Sequence, residues 1–201
     1  MTTYRGNAIA AGVLFILCSA ATILSIVPLG AGVVASVDFA KLAANDNRVV
    51  LTALIEFIWA ATGMGIAIAL YPVLRKFNPT LALGSVAGRV VENVFVLVGA
   101  LSLLVLLTVS KQAASSAVPS SFQAIGDALV AVRDWVHGLI GGIPFCVGVF
   151  MYYLVLYRSR LVPRWLSVWG LVAIVLSLVA TLYAGFTQEF GFTTVETVLS
   201  I

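Results

Sequence analysis

Long apolar runs alternate with short polar turns along this chain. Apolar residues dominate 8–30, 49–72, 81–110, 137–157 and 165–186, each long enough to supply the roughly 20 residues a helix needs to cross a hydrocarbon core of about 30 Å. The third run would reach about 45 Å at ~1.5 Å per residue, so its helix must tilt or project past one face. The turns carry most of the charge. They comprise a polar loop with Asp38, Lys41, Asn45, Asp46, Asn47 and Arg48, a small-residue loop from Lys111 to Pro119, and two basic turns, Arg75-Lys76-Phe77-Asn78-Pro79 and Arg158 to Arg164. Asn78 before Pro79 reads as an N-cap with proline in the first turn. Ser120 and Gln123 have capping-box spacing. Phe122, Ile125, Leu129, Val132 and Val136 then recur at helical spacing, with Gln123, Asp127 and Asp134 on the other face, which predicts an amphipathic lead-in over about 121–136. Gly141, Gly142 and Pro144 invite a kink just beyond it. The pattern predicts an all-α, polytopic membrane helix bundle: one domain over 1–201 with five transmembrane helices.

Composition excludes a water-facing fold. Hydrophobic residues make up 62% of the 201 positions and charged residues 9%, against roughly 25% charged in soluble domains. The first run exceeds the ~7–15-residue core of a signal peptide. It is therefore read as a retained helix, although Val34-Ala35-Ser36 mimics a cleavage site. Cys18 and Cys146 both lie in apolar runs and imply no disulfide framework. The net charge of +3 gives no reason to expect nucleic acid as a partner. The lipid bilayer is the expected partner, with a second copy or a partner helix as the protein contact such a bundle would take. No internal repeat is visible, which weakens the common transporter architectures.

Charge placement predicts orientation. If the N-terminus is cytoplasmic, the inner segments hold Arg5, Arg75, Lys76, Arg158, Arg160 and Arg164, while the outer loops hold Lys41, Arg48 and Lys111 beside acidic residues. Tyr71, Tyr152, Tyr153, Tyr157, Trp165 and Trp169 gather at the inner side. The expected topology is N-in, C-out.

Three segments, Ala69-Leu70-Tyr71-Pro72-Val73-Leu74-Arg75-Lys76, Gly88-Arg89-Val90-Val91-Glu92 and Tyr157-Arg158-Ser159-Arg160-Leu161-Val162-Pro163-Arg164-Trp165-Leu166-Ser167 with Trp169-Gly170, resemble a bacterial membrane family catalogued as domain of unknown function four-three-eight-six. The resemblance runs from about Tyr4 to the end and implies a multi-pass protein of the bacterial inner membrane. It carries over no functional residues. It also implies a sixth helix beginning near Thr193 to Ile201, where the chain stops. Either the chain is truncated there or a surface normally covered is left open, and the tail Thr187 to Ile201 is expected to pack poorly.

Ionisable groups inside a membrane are functional candidates by default. Here they are Glu56, Arg89, Glu92 and His137, with Asn93 and Asp134 close in sequence. Arg89 and Glu92 share a helix face, with Ser85 and Asn93 nearby. They form either an anion clamp or proton relay, or a self-neutralised pair near the inner boundary; the self-neutralised pair is favoured. Glu56, Asp134 and His137, with Arg133 alongside, could gather into an outer polar cluster suited to proton or cation binding, or serve as interface residues. Gly84/Gly88 and Gly138/Gly142 allow close helix packing. No catalytic triad, metal-ligand spacing, phosphate loop or haem motif occurs, so no cofactor is expected. The favoured reading is a non-enzymatic membrane protein. A small ion- or proton-coupled carrier using Glu56, Arg89 and Glu92 comes second, and a membrane-embedded enzyme acting on a lipid or quinone-like substrate third. The orientation is directly testable. In cells, cysteine placed at Lys41 or Ala114 reacts with an impermeant maleimide and cysteine at Lys76 or Ser159 does not; the opposite pattern reverses the topology.

Overall fold

A computed structural model describes residues 2–26, 38–188 and 190. Its helices are α1 (Thr2–Ile26), a short α2 (Phe39–Ala44), α3 (Asp46–Leu74), α4 (Pro79–Ala114), α5 (Gln123–Trp135), α6 (Gly141–Ser159) and α7 (Arg164–Thr187). Five stretches are long and apolar enough to cross a membrane, and α5 and α6 belong to the same one. Together they form an all-α multi-pass membrane bundle. The end of the first predicted span (residues 27–30), Val34-Ala35-Ser36 and the start of the expected sixth helix lie outside the described residues.

The boundaries have local causes. Asn78 caps α4 as its sequence predicts, its side chain accepting from the Leu81 N–H at 3.0 Å. Helix α2, which the polar loop did not announce, starts at Asp38, whose carboxylate accepts from the Lys41 N–H at 3.0 Å, and it buries Phe39 and Leu42. The capping box at Ser120 does not form. Pro119–Phe122 is a 3-10 turn with no side-chain cap, and Gln123 instead donates to Asp127 at 3.0 Å. Helix α6 ends at Arg160, in the left-handed conformation with φ 55°.

The amphipathic lead-in is present, but its inward face differs from the expected stripe. Ile125 and Val132 are exposed, whereas Gly126 is buried and Leu129 and Val130 pack on a core of Leu42, Val49, Leu103, Leu106 and Leu107. The rotation turns Arg133 inward toward the buried Glu56, and a buried carboxylate outweighs two apolar contacts. The kink expected near Gly141 and Pro144 is a π turn over Val136–Ile140. Pro144 has no N–H to donate to the carbonyl four residues back, and its ring crowds that carbonyl; the wider turn relieves the clash.

The spanning helices form a row, α1–α3–α4–α6–α7, each antiparallel to the next. Asn7 near the start of α1 donates to the Ala69 carbonyl near the end of α3 at 2.9 Å, and Lys111 near the end of α4 pairs with Asp46 at the start of α3 at 2.9 Å. Small residues set the approach of the helices, because hydrocarbon supplies no hydrophobic force between them. Gly84 meets Met151, Gly88 meets the backbone of Pro144 and Gly148, Gly142 meets Thr181, and Gly170 meets the Tyr153 ring. Both glycine pairs are therefore packing sites, but Gly138/Gly142 faces Phe190 and α7. In the tail, Thr187 and Gln188 are exposed, while Phe190 packs edge-on against Trp135 with ring centroids 5.0 Å apart; 189 and 191–201 lie outside the described residues.

A side chain at Gly88 would place Cβ 2.8 Å from Gly148 Cα, which is backbone and cannot swing away. Gly88→Val should therefore cost about 1–3 kcal/mol or more, read as a lower melting temperature in detergent. Gly12→Ala, which has nothing within 4 Å, should leave it unchanged. Equal melting temperatures for both variants would refute the α4–α6 contact.

Candidate functional site

Helix α4 carries the first buried polar group. Arg89 Nη1 lies 2.6 Å from Glu92 Oε2, and both side chains are under a tenth exposed. The residues are three apart on one helix, so the pair forms without help from any other segment. The guanidinium also sits over the Phe145 ring of α6, 5.0 Å from its centroid, a cation–π contact. Asn93 donates to the Arg89 carbonyl at 2.7 Å and to Glu92 Oε2 at 3.4 Å. Ser85 takes no part; its hydroxyl donates to the Ala82 carbonyl at 2.9 Å. Arg89 Nη1 and Asn93 Oδ1 are buried without a directed hydrogen bond, so the 2.6 Å contact is an ion pair rather than an aligned hydrogen bond. Gly63 of α3 makes room for the group: a Cβ there would stand 2.7 Å from Asn93 Oδ1 and 2.8 Å from Arg89 Nη2.

The pair lies well inside its helix. Arg89 is ten residues beyond Pro79, about 15 Å at ~1.5 Å per residue. Phe145, opposite it, precedes Ser159 by fourteen residues, about 21 Å on the same scale.

The second group joins three segments. Glu56 on α3, 1% exposed, accepts from both terminal nitrogens of Arg133 on α5: Nη1 reaches Oε2 at 3.1 Å and Nη2 bonds Oε1. Arg133 Nη1 also donates to the Gly99 carbonyl of α4 at 3.0 Å. Such a two-pronged, charge-assisted contact is the strong form of the interaction. His137 sits in the π turn with Nδ1 3.2 Å from the Arg133 carbonyl. A carbonyl only accepts, so Nδ1 carries the hydrogen. Nε2 is then 3.9 Å from Glu56 Oε2 and has no hydrogen-bond partner. The imidazole lies nearly parallel to Trp59, centroids 5.9 Å apart, and passes over Gly99, where any side chain would strike the ring. Glu56, Arg133 and His137 thus come together; Asp134 makes no hydrogen bond or ion pair with them.

Between the two groups lies a cavity of about 610 Å³. Arg89, Glu92 and Val96 of α4 form its back wall, with Trp59 and Ile66 of α3 on one side and His137, Phe145 and Tyr152 on the other. Phe15, Cys18 and Ser19 of α1 face Ala173, Ile174 and Ser177 of α7 across its front. Helix α1 packs on α3, and α7 packs on α6 and the π turn. Helices α1 and α7 thus form the two flanks of the cavity. Glu56 is not in its wall. Among the described residues no three His, Cys, Asp or Glu side chains are placed to hold a metal ion.

Gly63, Trp59, Gly99, Phe145 and the α1 and α7 residues were not visible as site residues in the sequence. Their roles depend on which helices adjoin and at what height, and an apolar run does not encode that. Trp59, three residues after Glu56, offered the one local signal.

Removing one member of a buried pair strands the other charge, at about 3–5 kcal/mol. Arg89→Leu and Glu92→Leu should each lower the melting temperature in detergent, and the double variant should lose less than the worse single change. A double loss equal to the sum of the two would show that the residues are uncoupled.

The family described as Domain of unknown function (DUF4386) matches residues 10–201. No curated protein and no solved structure is found to match the chain. The match spans nearly the whole length, and the chain belongs to the DUF4386 family.

Proposed function

We propose that this chain is a non-enzymatic protein of the bacterial inner membrane, N-terminus cytoplasmic and C-terminus outside, that takes an amphipathic molecule from the bilayer into the cavity between α1 and α7. The supporting observation is the cavity flanked by α1 and α7, with the buried Arg89–Glu92 pair in its wall. A volume of about 610 Å³ falls within the roughly 300–1,000 Å³ of small-molecule sites, which join mostly apolar walls to a few placed polar groups. The aromatic walls suit an apolar body, and the pair suits a polar end.

Binding is favoured over catalysis because the charged groups of the wall are engaged with each other. Arg89 and Glu92 hold each other, His137 Nδ1 is turned to a carbonyl, and the Cys18 thiol lies 3.9 Å from the Trp59 carbonyl, as a weak donor. A carrier using Glu56, Arg89 and Glu92 together has less support, since Glu56 is tied to Arg133 outside the cavity wall. The orientation rests on the basic residues at one end of the bundle, where Arg75 and Arg164 lie over the rings of Tyr71 and Tyr157 at 5.8 and 5.6 Å.

Native mass spectrometry of the protein in mild detergent should show one retained lipid-like adduct per chain. Ala173→Trp, in the mouth of the cavity, should remove the adduct. Val175→Trp, at a lipid-exposed position outside the wall, should keep it. An adduct indifferent to Ala173→Trp, or none in the parent, would refute the binding reading.

A further inference from the structure

The geometry points to an uncharged amphiphile, with a hydroxyl or carbonyl in its head, as the occupant of the cavity, its head meeting the Arg89–Glu92 pair. This rests on the binding reading above and adds the ligand's chemistry to it. Three observations carry it. First, the two charges in the back wall cancel: Arg89 has its counter-ion 2.6 Å away on its own helix, so the wall presents a dipole rather than a net charge. The other charged group near the cavity is also balanced, because Arg133 is matched by Glu56. An anionic head would have to displace Glu92 from Arg89 or leave its own charge unmatched in a buried, largely apolar wall, and a cationic head would do the converse. Either costs several kcal/mol.

Second, the pair itself lines the cavity. Arg89 is 7% and Glu92 6% exposed. A guanidinium N–H beside a carboxylate oxygen offers one donor and one acceptor a few ångströms apart. A hydroxyl both donates and accepts, and a carbonyl accepts, so such a head uses this wall without breaking the pair.

Third, the rest of the wall is uncharged. Phe15, Trp59, Phe145 and Val149 give apolar surface, and Ser19 and Ser177 add hydroxyls. The rings of His137, Tyr152 and Tyr153 also line the cavity; the one hydrogen bond of His137 runs to the Arg133 carbonyl, and its Nε2 has no partner.

Trp59 lies in the wall and reports occupancy. Three single-chain probes of equal length, brominated near the head, would be titrated into the full chain in detergent: a long-chain alcohol, an alkyl sulfonate and an alkyl trimethylammonium. The signal is the quenching lost in Trp59→Phe. The alcohol should quench saturably, and the two ions about ten-fold more weakly or worse, the equivalent of about 1.4 kcal/mol. In Glu92→Gln the wall becomes cationic and the preference should shift toward the sulfonate. Sulfonate or ammonium binding the parent as tightly as the alcohol would overturn the neutral-head assignment while leaving the cavity a binding site. Absence of saturable quenching by any probe would overturn the assignment together with the binding reading. The parent titrations decide the matter even where Glu92→Gln fails to fold.

Discussion

A carboxylate held in the interior of a bilayer must be neutralised by the protein itself, and the shape of this bundle follows from where Glu56 finds its arginine. Glu56 sits ten residues into α3 and is 1% exposed. An unmatched charge there costs several kcal/mol, more than any single helix–helix contact returns. Its partner, Arg133, lies on the amphipathic helix, so that helix must turn Arg133 inward and give up Ile125 and Val132 to lipid. The turn fixes the following residues in space. His137 arrives over Gly99 and against Trp59, and the π turn takes up the mismatch between this register and the α6 helix held by Gly88 and Gly148. The wall of the cavity near His137 is therefore set by an ion pair that does not itself line the cavity.

Much of this was written in the sequence at the level of elements. The five apolar runs, the Asn78 cap and the amphipathic lead-in are local patterns, and local patterns survive folding because the backbone must satisfy its own hydrogen bonds in lipid. The pairing of Arg89 with Glu92 was legible for the same reason, being fixed by helical geometry alone. What was not legible depended on relations between segments. The rotation of α5 follows from a charge 77 residues away; the stripe of Phe122, Ile125 and Val132 gave no hint of it. The depth of Arg89 does not follow from the length of its run, because the 36 residues of α4 exceed what a membrane crossing needs. Asp134 was grouped with His137 by proximity in sequence, but it directly follows Arg133, about 100° round the helix, so turning Arg133 toward Glu56 does not bring Asp134 with it.

The two buried polar groups differ in kind. The Glu56–Arg133–Gly99 group ties α3, α5 and α4 together, so it exists only in the assembled bundle, and its geometry is over-determined. The Arg89–Glu92 pair is complete on one helix, so it forms as soon as α4 does and imposes nothing on the neighbours except space, which Gly63 provides. A bundle can afford to leave such a pair facing a cavity, because opening or filling that cavity does not break the neutralisation. The inter-segment group could not be placed there: any ligand or water that separated α5 from α3 would strand Glu56. The division of labour is therefore dictated by electrostatics. The charge pair that needs three helices is sealed away, and the pair that needs only one lines the cavity.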